Sequence, residues 1–171
     1  MRLFRTLKES EIECRISEIS RTGAGLSLLL YKTARTDAAL LDEIVGAYNW
    51  QNKFEEIGGK MYCGIGVFMN DQWIWKWDCG TESNMEAEKG QASDAFKRAG
   101  FKWGLGAELY TAPRIFIPKE SCTIKDYNGK LKCFDVFSVE KIAYDDNENI
   151  SGLAIKNDTT GKRCFVWKRA E

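Results

Sequence analysis

The sequence predicts an α+β protein: an antiparallel β-meander packed on a long helix (a β-β-β-α core), followed by a C-terminal β-hairpin region. Three observations predict it. Between Trp50 and Cys79 the apolar period is two, broken by the tight-turn pairs Gly58-Gly59 and Asn70-Asp71. From about Asn84 to Trp103, the residues Ala92, Phe96, Ala99 and Trp103 recur at spacings of three and four. Beyond Pro113, short apolar runs alternate with polar turns.

The first segment, Met1 to Arg35, ends in the apolar run Leu26 to Tyr31, whose length and flanking Gly23 and Gly25 suit a buried strand. Thr36 or Asp37 is expected to cap a short helix with Leu40, Leu41, Ile44 and Tyr48 at helical spacing and Gly46 as its stop. The meander strands are Trp50 to Ile57, Lys60 to Met69 and Gln72 to Cys79. Met61, Cys63, Ile65, Val67 and Met69 share one face of the second strand; Trp73, Trp75 and Trp77 share one face of the third. That tryptophan row is expected to be core against the helix, the commoner use of such a row; a stacking platform for bases is the alternative. The helix ends at Gly104-Leu105-Gly106, and Pro113 marks a further break. Strands are then expected at Arg114 to Ile117, Lys132 to Val139 continuing toward Tyr144, Ile150 to Lys156 and Cys164 to Trp167, with turns at Asp145 to Asn149 and Asn157 to Gly161.

A chain of 171 residues, 44% of them hydrophobic and with 15 Gly and 2 Pro, has the composition of one folded domain, expected to span 1–171. No apolar run is long enough to span a bilayer, and Met1 to Ser10 lacks the apolar core of a secretory signal, so no membrane association and a cytoplasmic location are expected. The six cysteines form no C-x-x-C pair and are expected to be reduced and mostly buried.

Net charge is zero, but it is sorted along the chain. Thr36 to Glu56 holds five acids and one base, whereas Lys89 to Lys119 holds six bases and two acids. A local basic site is therefore compatible with overall neutrality.

Catalytic chemistry is poorly represented. The chain has no histidine, which removes Ser-His and Cys-His nucleophilic pairs and the commonest metal ligand. Its three Gly-Lys pairs precede Met61, Leu131 and Arg163, so none forms a Walker A loop. No lysine follows an acid by two residues, the pattern of common metal-dependent nucleases. Asp78 with Glu82, or Asp145 with Asp146, could hold magnesium, but such acids more often serve turns and strand ends. No enzymatic activity, metal or cofactor is expected.

The informative stretch is Glu88-Lys-Gly-Gln-Ala-Ser-Asp-Ala-Phe-Lys-Arg-Ala-Gly-Phe-Lys-Trp-Gly-Leu-Gly106, continuing to Glu108-Leu-Tyr110. It places Lys97, Arg98 and Lys102 on the outer side of the helix, where long cations reach phosphates. An ordinary i,i+4 surface pair of Asp94 with Arg98 is the competing use of the same residues.

This stretch resembles the signature of the Rad fifty-two and Rad twenty-two single-strand annealing family, especially its short bacteriophage Sak-type members. The resemblance includes Tyr31-Lys-Thr-Ala-Arg-Thr36, Val45-Gly-Ala-Tyr-Asn-Trp50, the Gly64-Ile-Gly66 strand to Trp77-Asp78, and more weakly Ile142-Ala-Tyr144 and Ile150 to Lys156. It implies a non-enzymatic, ring-forming homo-oligomer that binds single-stranded DNA in a basic groove and anneals complementary strands in homologous recombination and double-strand break repair. It further implies a phage or prophage origin, action in the bacterial host cytoplasm, and a single-strand-binding protein or exonuclease as partner. By motif, Lys97 and Arg98 match the paired basic groove residues, and Arg35 matches a further DNA-contacting arginine. Charge and position add Lys102, Lys89, Lys53 and Lys76. Ala107 departs from the phage pattern, which carries arginine there, and the resemblance does not extend to the recombinase-recruiting C-terminal extension of the eukaryotic members. A metal-dependent nuclease and a non-annealing single-strand-binding module are the alternatives.

Overall fold

The computed structural model describes residues 3–81 and 87–170, the side chains of 87–89 excepted. In chain order its regular elements are β1 (Glu13–Ile19), β2 (Gly25–Tyr31), α1 (Ala34–Ile44), β3 (Trp50–Ile57), β4 (Lys60–Met69), β5 (Gln72–Cys79), α2 (Ala87–Lys102), β6 (Ile115–Pro118), β7 (Ile124–Tyr127), β8 (Lys130–Cys133), β9 (Phe137–Tyr144), β10 (Ile150–Asn157) and β11 (Lys162–Lys168). The class is α+β with antiparallel pairing, as the sequence predicts. Two compact units share the chain: Met1–Thr6 with Lys32–Ala107, and Leu7–Tyr31 with Glu108–Glu171.

The first unit holds the meander β3-β4-β5, and α2 packs on β4 and β5. Cys63, Ile65 and Val67 of β4 are fully buried, as are Ala95 and Ala99 of α2. Burying an Ile or Val side chain contributes about 1.5–3 kcal/mol, which the alternating pattern of β4 directs to one face.

The tryptophan row lies on the other face. Directly opposed residues of an antiparallel pair share a face, and the register sets Trp77 against Gly64 and Trp75 against Gly66, out of phase with Cys63, Ile65 and Val67. The expectation that the row is helix-facing core is therefore corrected. Alternation alone puts three tryptophans on one face but leaves open which face it is. The two glycines make room for the indoles: a Cβ at Gly64 would stand 2.4 Å from Trp77 Cε2, and one at Gly66 2.8 Å from Trp75 Cε2.

Helix α1 starts earlier than expected. Its cap is Thr33, whose Oγ1 accepts from the Thr36 backbone N–H at 3.2 Å, while Asp37 is fully buried in the first turn. Gly46, at φ +88°, ends the helix as expected. Tyr48 lies beyond that stop and is 97% exposed, so it is no part of the apolar stripe. The expected start of α2 at Asn84 falls outside the described residues. At 16 residues, or about 24 Å, α2 is of ordinary rather than long length.

In the second unit a six-stranded sheet runs in the order β11-β10-β9-β1-β2-β6, with β7-β8 as a separate hairpin. Leu26, Leu28, Ile117, Val139, Ile150 and Ile155 are buried in it. Strand β1 escapes sequence reading because its residues alternate only between half-buried and exposed. The strand expected over Lys132 to Val139 is two strands, β8 and β9. Between them Asp135 leaves the ladder, and its Oδ2 accepts from the Thr123 backbone N–H at 2.7 Å and from Asn157 Nδ2 at 2.8 Å.

The cysteines are free, but Cys63 alone among them is fully buried and the rest are half-buried, less than the composition predicts. Burial pushes the Cys63 and Cys14 thiols up to about 12. No described helix is long and apolar enough to cross a membrane.

Candidate nucleic-acid interface

The C-terminal end of α2 is held by a Schellman motif. The Leu105 N–H donates to Gly100 O at 3.1 Å and the Gly104 N–H to Phe101 O at 2.8 Å, with Gly104 at φ +93° and Leu105 fully buried. This turn fixes Trp103, whose Nε1 donates to Ile65 O at 3.0 Å. Much of the Lys-Arg-Ala-Gly-Phe-Lys-Trp-Gly-Leu-Gly run thus has a structural role, ending a helix and docking it on the central strand of the meander.

Two of the sequence-predicted cations share that role. Lys76 Nζ donates to Lys102 O at 2.8 Å and sits 4.4 Å from the centre of the Trp103 ring. It satisfies an open carbonyl at the helix end, where a cation also complements the dipole. Lys102 Nζ donates to Trp77 O at 2.7 Å and stands 3.6 Å from Asp78 Oδ2. Both ammonium groups strap α2 to β5.

Arg98 is exposed on α2, with Nε 3.7 Å from Asp78 Oδ1. The alternative of an Asp94–Arg98 surface pair is not what forms. Asp94 Oδ2 instead accepts from the Thr81 N–H and hydroxyl, at 3.0 and 3.1 Å. A long, partly exposed pair such as Arg98–Asp78 contributes about 1 kcal/mol or less, so a phosphate competes for the guanidinium at small cost. Half-buried Lys97 has no ion-pair or hydrogen-bond partner for its ammonium group among the described residues.

Arg35 is brought toward this region by α1. The buried Lys32 ammonium forms an ion pair with Asp37 and reaches Lys97 O at 3.5 Å. On α2, Gly100 leaves the room that Asp37 occupies, since a Cβ there would stand 2.9 Å from Asp37 Oδ2. The first turn of α1, with Arg35 exposed on it, is therefore fastened against the turn of α2 that carries Lys97 to Gly100. Sequence reasoning missed Lys32 and Asp37 as the pair that sets this placement. A lysine followed five residues later by an acid at a helix start is too common a pattern to single out.

Lys53 does not join the group. It lies on the tryptophan face of the meander, opposite Gly64 in the register, with Nζ 4.7 Å from the Trp75 ring centre. There Phe68, Trp73, Trp75 and Trp77 form a continuous aromatic row, with centroid separations of 5.5, 6.4 and 5.9 Å. Lys89 is on α2, but its side chain lies outside the described residues. The structure thus gathers Lys97, Arg98, Lys102, Lys76 and the Arg35 turn around α2 and leaves Lys53 on the far face.

Of the carboxylates weighed as metal ligands, Asp78 faces Arg98 and Lys102, and Glu82 lies outside the described residues. Asp145 accepts from the N–H groups of Asn149 and Asn147 and pairs with Arg169 at 2.8 Å; these contacts hold its carboxyl below the usual carboxylate range. No cluster of three or more metal-ligating side chains occurs among the described residues. No family model, curated protein or solved structure matches the chain.

Proposed function

We propose that the chain is a non-enzymatic single-strand annealing protein of the Rad fifty-two type, serving homologous recombination and double-strand break repair. Lys97 and Arg98 hold the DNA backbone, with Arg35 extending the same cationic edge. The observation that carries this reading is the Lys97 ammonium group, unpaired among the described residues beside a weakly held Arg98, on a helix whose Lys102, together with Lys76 of β5, is committed to its docking. Protein cations replace the counterions that screen phosphate repulsion, which gives affinity without sequence preference and leaves base edges free to pair.

Assembly into a ring belongs to the same proposal. A protomer of zero net charge holds a strand weakly, and repeated sites along one strand multiply that affinity. A phage or prophage origin, action in the host cytoplasm, and a single-strand-binding protein or exonuclease as partner complete the reading.

The test is strand annealing in chelator with the double variant Lys97→Ala, Arg98→Ala. The variant is expected to lose annealing of complementary oligonucleotides while keeping the parent's oligomer size; unchanged strand binding would remove the groove assignment. A metal-dependent nuclease would instead degrade the strands with magnesium and stop in chelator. One observation favours a second reading, a non-annealing single-strand-binding module: the partly exposed aromatic row with Lys53 over Trp75 has the composition of a base-stacking platform. Such a module would bind strands and fail to accelerate pairing.

A further inference from the structure

We infer that the β7-β8 hairpin of the second unit is a separate contact surface for single-stranded nucleic acid, with Lys125, Lys130 and Lys132 on phosphates and Tyr127 with Phe134 on a base. The proposal rests on the reading of the chain as a single-strand binder but uses none of the residues around α2.

The pairing register places the cations together. Lys125 lies opposite Lys132 and Tyr127 opposite Lys130. Directly opposed residues share a face, so one side of this short ribbon presents three lysines and a tyrosine. Each of those four is exposed, whereas Ile124, Leu131 and Cys133 on the other side are half-buried. Leu131 Cδ1 comes within 3.6 Å of a Cβ position at Gly23, and β8 packs beside β1, so the apolar side rests on the body of the unit and the lysine side faces away.

Like charges directly opposed across a strand pair destabilise it, yet none of the three lysines is neutralised by an ion pair among the described residues. The acid within the hairpin and the one just after it accept hydrogen bonds from other groups. Asp126 Oδ1 accepts the Gly129 N–H at 2.7 Å inside the turn, and Asp135 bonds Thr123 and Asn157. A cationic face left without a counter-charge suits an anionic partner. The aromatic pair narrows the choice: Tyr127 and Phe134 meet edge to face at 5.6 Å and are 43% and 71% exposed, offering ring surface for a base beside the cations. Asn128 and Gly129, at φ +56° and +79°, form a tight turn that holds the two strands in register without a ligand.

The test is fluorescence anisotropy of labelled oligodeoxythymidylate and oligouridylate on the whole chain, titrated with salt, for the parent, the triple variant Lys125→Ala, Lys130→Ala, Lys132→Ala, and the single variant Tyr127→Leu. The triple variant is expected to lower the slope of log affinity against log salt by about 2, from about 0.7 per neutralised phosphate. The single variant is expected to weaken binding about fivefold or more with the slope unchanged, the mark of lost stacking. The corresponding triple Lys→Arg variant should bind like the parent, which separates charge from folding. An unchanged slope in the alanine variant overturns the hairpin proposal alone, provided that Lys97→Ala with Arg98→Ala still reduces binding. A reduced slope in the hairpin variant with no effect at Lys97 and Arg98 overturns the groove reading alone. A parent chain that binds neither oligonucleotide overturns both.

Discussion

Asp37→Ala is the perturbation that most directly probes how α1 is fastened to α2. The side chains of Lys32 and Asp37 are 9% and 0% exposed. Removing one member of a buried ion pair leaves the other charge desolvated without compensation, which costs about 3–5 kcal/mol. That is a large part of the roughly 5–15 kcal/mol stability of an ordinary domain. Replacing both members by apolar groups, as in Lys32→Met with Asp37→Leu, removes the desolvated charges together, and such exchanges are often neutral. The double variant is therefore expected to be more stable than either single variant, with a coupling energy of about 3 kcal/mol in a double-mutant cycle. Urea unfolding at neutral pH, followed by circular dichroism, measures the parent, Asp37→Ala, and the three variants of the cycle: Lys32→Met, Asp37→Leu and the two combined. A loss below about 1 kcal/mol in Asp37→Ala, the range of an exposed pair, would refute the reasoning. So would additivity of the two single variants.

Gly64→Ala forces a methyl group against the Trp77 indole at 2.4–2.6 Å and is expected to cost about 1–3 kcal/mol as overpacking, with Trp77→Leu relieving the clash; chemical denaturation of the single and double variants measures it. The Cys63 thiol, pushed up to about 12 by burial from an ordinary value of 9.0, stays protonated in the fold while the unfolded chain ionises. Its stabilising contribution is complete below about pH 9 and drains away as pH climbs toward 12. Cys63→Ala should accordingly flatten the alkaline fall of unfolding free energy by up to about 1.4 kcal/mol per pH unit, as read from urea midpoints.

The sequence by itself determined the class of the fold, the three meander strands to the residue, the stop of α1 at Gly46 and the end of α2. Each is a local matter: turn pairs with positive φ at Gly58, Gly59, Asn70 and Asp71, a period of two, and a glycine-terminated helix carry their own signatures. It also singled out the stretch from Lys97 to Gly106, although most of that stretch proves to dock the helix through Trp103, Leu105 and the backbone. What only the tertiary structure decided were questions of partner and face. Which side of the sheet carries the tryptophans depends on where α2 lies, and a shift of one residue in phase would reverse it. Lys76 and Lys102 read as surface cations until the carbonyls of Lys102 and Trp77 are brought within 2.8 and 2.7 Å of them. Lys97, identical to them in chemistry, is distinguished only by having no such partner among the described residues. Free and committed lysines look alike in a sequence because the difference lies in groups brought near by folding, and that difference is what directs attention to Lys97 and to the lysines of the β7-β8 hairpin.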